Sequence, residues 1–218
     1  MDDDKLSAAS NLVHSLEKKF ESIFESLMRE LDQADIERNV EELRAEHPEE
    51  SREEIASRLT RKAAFTTASV GATAGALGGP MALLAMAPDI FTLVREQSRL
   101  VLSIAFLHGQ RPDAEERSRE VLAVLAVATG TTAARSGART IITKGLESRF
   151  AERVFRKIAG DFVIKRLPRI IPIVGGIVGG TVNVLAVAAV ERAALDYYGG
   201  LEEELRNADV IDVEVVEE

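Results

Sequence analysis

The chain has 218 residues, 46% of them apolar and 29% charged, with a net charge of -9 and no cysteine. That balance describes a globular chain with one sizeable core, not a disordered or multi-spanning membrane protein. The acidic excess argues against sequence-independent nucleic-acid binding, which needs clustered Lys and Arg, and the missing cysteines remove disulfides and thiolate metal sites.

Met1 is followed by Asp2, Asp3 and Asp4, the opposite of the basic start of a secretory signal, so a cytoplasmic location is expected. From Leu6 to Leu31 apolar residues recur every three or four places, among them Leu12, Leu16, Phe20, Phe24 and Leu27. The spacing predicts an amphipathic helix, which either packs on the body or detaches to touch a membrane. Its polar face is mainly acidic, whereas interfacial helices favour Lys and Arg. A second helix is expected from Ile36 to Glu46, ending before His47-Pro48 because a residue preceding proline is pushed out of the helical region.

Ser51-Arg52-Glu53-Glu54 reads as a capping box, with Ser at the cap and Glu three residues on. The helix it opens passes Ile55, Leu59 and the basic pair Arg61-Lys62, then enters a stretch that is uncharged from Ala63 to Pro88. The pair is either a solvated edge of the core or a contact for phosphate headgroups. Small residues fall at every fourth place, Ala63, Thr67, Gly71, Gly75 and Gly79, and predict a thin stripe that another backbone can approach closely. Gly78-Gly79-Pro80 should end this helix at roughly 15 apolar residues, too short for a hydrocarbon core of about 30 Å.

Met81 to Leu107 is apolar on nearly all faces and is expected at the centre, with Pro88 placed to kink it. Asp89, Glu96 and Ser103 share one of its faces with Arg99 beside them. Glu96 and Arg99 suit an i, i+3 ion pair, or alternatively an anchor for a polar headgroup. His108-Gly109 closes the helix, and the next starts at Asp113 and runs to Ala128 behind an acidic first turn.

Residues 135–169 form the one basic zone, with an apolar side at Val154, Phe155, Ile158 and Phe162. It suits anionic lipid or the acidic helices of the chain itself. Leu167 to Tyr198 mirrors the earlier glycine-rich stretch, with Gly175, Gly179 and Asn183 on one ladder opposite Gly71, Gly75 and Gly79. Its uncharged run from Ile170 to Val190 is long enough for a single membrane pass. After Gly199-Gly200 a short charged helix, Leu201 to Asn207, leads into an acidic tail. The expected organisation is thus 1–48 as amphipathic N-terminal helices, 49–200 as the helical core and 201–218 as tail.

The run GATAGALGGP, then APDI, a long apolar helix ending LHG, and LPRIIPIVGGIVGGTVN resembles the EcsC family of bacterial proteins, over about Ser51 to Tyr198. It is also similar to the senescence domain of spartin-like proteins, for which lipid binding and transfer have been proposed. The resemblance implies an all-α, non-enzymatic, lipid-related protein and supplies no catalytic residue. The residues agree: there is no H-E-x-x-H, G-x-S-x-G or nucleotide-binding glycine pattern, and no metal or cofactor is called for.

The fold expected is a multi-helix bundle with central Gly/Ala-rich apolar helices and polar flanking ones. Helices Ala63–Leu77, Met81–Leu107 and Ile173–Leu195 would border an apolar groove for acyl chains. Its lining would come from Leu83, Leu84, Met86, Ile90, Phe91, Val94, Leu102, Phe106, Ile173, Ile177, Val184 and Val187, with Arg95 and Arg99 at the headgroup. Peripheral membrane association and lipid binding or transfer follow. The alternative is a structural or regulatory partner of a membrane transporter complex, docked through the glycine ladders.

Overall fold

The computed structural model describes residue 24, residues 26–130 except 78, residues 184–203 and residue 206; for 69–90 and 115 it describes the backbone alone. Four helices run in order, α1 (Gln33–Glu46), α2 (Arg52–Leu77), α3 (Gly79–Leu107) and α4 (Ala114–Ala128). A fifth, α5, covers 184–203, and a helical turn at 26–30 precedes α1. The protein is all-α, a multi-helix bundle, with no strand among the described residues.

The helix ends follow from local chemistry. Asp32 caps α1, its carboxylate accepting from the Ala34 N–H at 2.9 Å and the Asp35 N–H at 3.3 Å. This cap starts the helix at Gln33, one turn earlier than apolar spacing alone placed it at Ile36. Ser51 and Glu54 form the reciprocal box expected of them: the Glu54 N–H donates to Ser51 Oγ, and the Ser51 N–H to the Glu54 carboxylate. Asp113 and Glu116 repeat the device at α4. At the far end of α3 the Gln110 N–H bonds to the Ala105 carbonyl and the Gly109 N–H to that of Phe106. Gly109 sits at φ +73°, the left-handed position this helix stop requires.

α2 runs unbroken from the polar Arg52 into the small-residue stretch and stops at Leu77; α3 then packs against it. The stop divides the expected stripe. Ala63 and Thr67 face the core, and Gly71 and Gly75 lie on α2, but Gly79 belongs to α3. Proline forces that outcome, because Pro80 cannot supply the N–H that a continuing α2 needs at that place. Arg99 likewise departs from the in-helix pair with Glu96. It reaches across to Asp35 on α1 at 3.0 Å.

α5 lies antiparallel to α2. Ser57 donates to Glu191 at 2.8 Å, and Arg52 meets Glu202 at 2.6 Å, so one helix descends as the other rises. α5 also continues through Gly199 and Gly200, where a break before a separate charged helix was expected. Packing overrides the glycines' weak helix propensity: Tyr198 is fully buried and Leu201 packs on the core.

One apolar core joins all these elements. Phe24, Leu27 and Leu31 share it with Ile36 and Val40 of α1, Ile55 of α2, Val101 and Ile104 of α3, Leu122 and Leu125 of α4, and Val187 and Val190 of α5. Phe24, Leu27, Met28 and Leu31, all before α1, are therefore part of the bundle's interior. Arg117 of α4 secures them further, donating to Gln33 Oε1 at 2.8 Å and to the Leu31 carbonyl at 3.4 Å. Burial of aliphatic side chains, each contributing about 1.5–3 kcal/mol, is what holds the helices together.

Candidate functional site

Two polar groupings interrupt this apolar interior, and both involve α3. The first closes the lower ends of the helices. His108, at the end of α3, has a side chain only 7% exposed, and its Nδ1 lies 3.1 Å from Glu202 of α5. Glu202 also takes Arg52, the first residue of α2. The hydrogen bonds from His108 and then Arg52 hold the Glu202 carboxyl below its ordinary range. Beside them the Tyr198 ring stacks toward His108, and the Tyr198 hydroxyl donates to Glu120 of α4 at 2.9 Å. Burial raises Glu120, an effect the Tyr198 hydroxyl partly offsets, and burial raises the Tyr198 phenol still more. This grouping draws its residues from four helices, with Tyr198 fully buried and the His108 side chain nearly so.

The second grouping surrounds a cleft of about 230 Å³ between α1, α2 and α3. Ile36, Leu59, Ala63 and Leu100 supply apolar lining, and Asn39, Lys62, Thr66, Glu96, Arg99 and Ser103 the polar part. Arg99 is fixed by Asp35, whose carboxyl its hydrogen bond holds below the ordinary range. Thr66 and Ser103 donate to the Lys62 and Arg99 carbonyls of their own helices, at 3.1 and 2.8 Å, so their oxygens keep lone pairs for other donors. A further hollow, between Gln33, Ile36, Leu102, Phe106 and Pro112, measures about 10 Å³, room for about one water.

Of the residues expected to line a lipid groove, Val94, Leu102, Phe106 and Val187 are buried in the core and Phe91 is half-buried against it. Arg111 covers the edge of that core, its guanidinium 4.6 Å from the centre of the Phe106 ring. Val184 is 41% exposed, and its neighbour Leu185 is 65% exposed. The side chains of Leu83, Leu84, Met86 and Ile90, and the whole of Ile173, Ile177, Gly175, Gly179 and Asn183, lie outside the described residues, as does the basic zone 135–169. Of the two headgroup candidates, Arg95 is exposed and Arg99 lines the cleft.

Lys62 and Asn39 join Arg99 there, which spacing along α3 alone had no means of revealing. The outer side of α2 carries Arg61, Lys62 and Phe65 within one turn, all exposed, Phe65 by 76%. The antiparallel register fixed by Ser57 and Glu191 sets Val184 and Leu185 of α5 level with this turn.

Among the described residues, no group of three His, Asp or Glu side chains comes together to hold a metal ion, and no helix is long and apolar enough to cross a membrane. A model of the EcsC protein family matches residues 5–199. The chain belongs to the EcsC family. The match takes in the N-terminal segment that the sequence motifs alone had left outside the resemblance, in keeping with Phe24 and Leu27 in the core. No curated protein and no solved structure matches the chain.

Proposed function

We propose that this EcsC-family chain is a lipid-binding protein that works at a membrane surface. The observation that carries the reading is the level of the bundle where Arg61, Lys62 and Phe65 stand exposed on α2 and Val184 and Leu185 on α5. Exposed apolar and aromatic side chains beside basic ones suit the boundary between acyl chains and anionic headgroups. Each basic residue near such a surface contributes about 1 kcal/mol, and a buried Phe about 1.5–3 kcal/mol.

Among the described residues, volume favours binding at the surface over enclosure of a whole lipid. Pockets for drug-sized ligands run to about 300–1,000 Å³. The cleft of about 230 Å³ has room for a headgroup, with the chains left in the bilayer. The described core around Leu102 and Phe106 is already filled.

Flotation with vesicles containing phosphatidylglycerol tests the proposal. The wild-type chain should float with them, and Arg61→Gln with Phe65→Ser should weaken binding on the order of a hundredfold, from the loss of both contributions. A wild-type protein that stays behind, and that carries no lipid by mass spectrometry after purification without detergent, overturns it.

A further inference from the structure

Lys62 and Glu96 border the same cleft from α2 and α3, yet neither enters an ion pair with the other or with any described residue. Glu96 lies one turn before Arg99, close enough for an in-helix pair, but Arg99 is held by Asp35 instead. The cleft therefore presents an uncompensated carboxylate and an uncompensated ammonium to one shared space, with the Arg99 guanidinium beside them. A simple anion placed there meets repulsion from Glu96, and a simple cation meets it from Lys62 and Arg99. A molecule carrying both signs satisfies all three.

We propose that this cleft binds a phosphoethanolamine group, its ammonium donating to Glu96 and to the Ser103 and Thr66 oxygens, its phosphate accepting from Lys62 and Arg99. Arg99 has five N–H donors and commits one of them to Asp35, so others remain for a phosphate oxygen. The ammonium end sets the selectivity. A primary ammonium gives N–H donors to a carboxylate, whereas the trimethylammonium of choline gives none. The volume suits one such headgroup and excludes acyl chains. For a membrane source of the ligand, this inference rests on the surface-binding reading; the same chemistry is offered in solution by glycerophosphoethanolamine.

The experiment uses the full chain and two probes. The first is flotation with vesicles of phosphatidylcholine alone, with added phosphatidylethanolamine, or with added phosphatidylglycerol. The second is calorimetric titration with glycerophosphoethanolamine. The wild type should prefer the phosphatidylethanolamine vesicles over phosphatidylcholine alone and should give a titration. Glu96→Gln should weaken both by about tenfold or more, the size of a lost charge-assisted hydrogen bond, and erase the preference. Lys62→Gln should do likewise, with Lys62→Arg restoring binding, and unchanged thermal unfolding excludes misfolding as the cause.

Flotation that is blind to the headgroup but still needs Arg61 and Phe65, with no titration, removes the phosphoethanolamine site and leaves the membrane reading intact. A titration without flotation supports the site and removes the membrane reading. Glu96→Gln that strengthens binding to phosphatidylglycerol vesicles and leaves phosphatidylethanolamine unaffected overturns the proposal in favour of a plain anion site.

Discussion

The helix-end grouping around His108 and the cleft around Glu96 both draw on the α3 segment and use the same kinds of side chain. They end up in opposite conditions. At the helix ends Glu202 takes both Arg52 and His108, and Glu120 takes the Tyr198 hydroxyl. In the cleft, among the described residues, Arg99 alone of the three charged side chains has an ion-pair partner, and that partner comes from α1. The first grouping fastens helices that are distant in sequence. The second borders space, with opposite charges facing it unmatched. A polar cluster bonded mostly within the fold, here with the buried His108 Nε2 left without a partner among the described residues, bears on stability, and one facing an open hollow bears on what can enter.

Breaking the closed grouping should have the largest effect. Tyr198→Ala empties a fully buried aromatic site and should lower unfolding free energy by about 3–5 kcal/mol in urea titration. Tyr198→Phe keeps the ring but takes the donor from Glu120, for about 1–3 kcal/mol. If Tyr198→Ala proves no worse than a cleft variant, the contrast between the two groupings collapses. Ser51→Ala removes the cap at the foot of α2, beside Arg52, and should cost about 1 kcal/mol, read as a lower Tm.

The pH dependence sharpens the contrast within the closed grouping. Burial sets the folded Glu120 above its ordinary 4.5, so between that value and the folded one the native protein holds a proton the unfolded chain has released. Stability therefore falls as pH rises through that window. Glu202 is lowered, so its contribution is complete above 4.5 and is lost as pH falls through its folded value. Thermal unfolding across both windows should show Glu120→Gln removing the decline on the upper side and Glu202→Gln the loss on the acid side. The smallest effect belongs to the open grouping: Lys62→Gln and Glu96→Gln should each leave stability within about 0.5 kcal/mol in the same urea titration.

Local signals were legible. The Ser51–Glu54 box, the acidic opening of α4 at Asp113, the turn at His108-Gly109 and the stop before Pro80 each depend on residues within one turn of each other. Contacts between distant segments were not. Nothing near Arg99 points to Asp35, 64 positions earlier, and periodicity suggests Glu96 in its place. His108 reads as a turn residue until Glu202 and Tyr198 close over it. Gly199-Gly200 reads as a break because propensity is local, while the burial of Tyr198 that carries the helix onward is tertiary. The amphipathic pattern of Phe24 and Leu27 admitted both packing and detachment, since both need the same apolar stripe, and the acidic polar face leaned toward packing; both side chains lie in the bundle's interior.

That interior is assembled from both flanks of the sequence. Phe24 and Leu27 meet Val187, Val190 and Tyr198 in one cluster. Synthesis proceeds at about 5–20 residues per second, so the early helices wait several seconds after α4 emerges before α5 arrives to complete their cover. During that interval the core surface that Val187, Val190 and Tyr198 later cover stands wet on the nascent chain, where a chaperone has its opportunity and aggregation its risk.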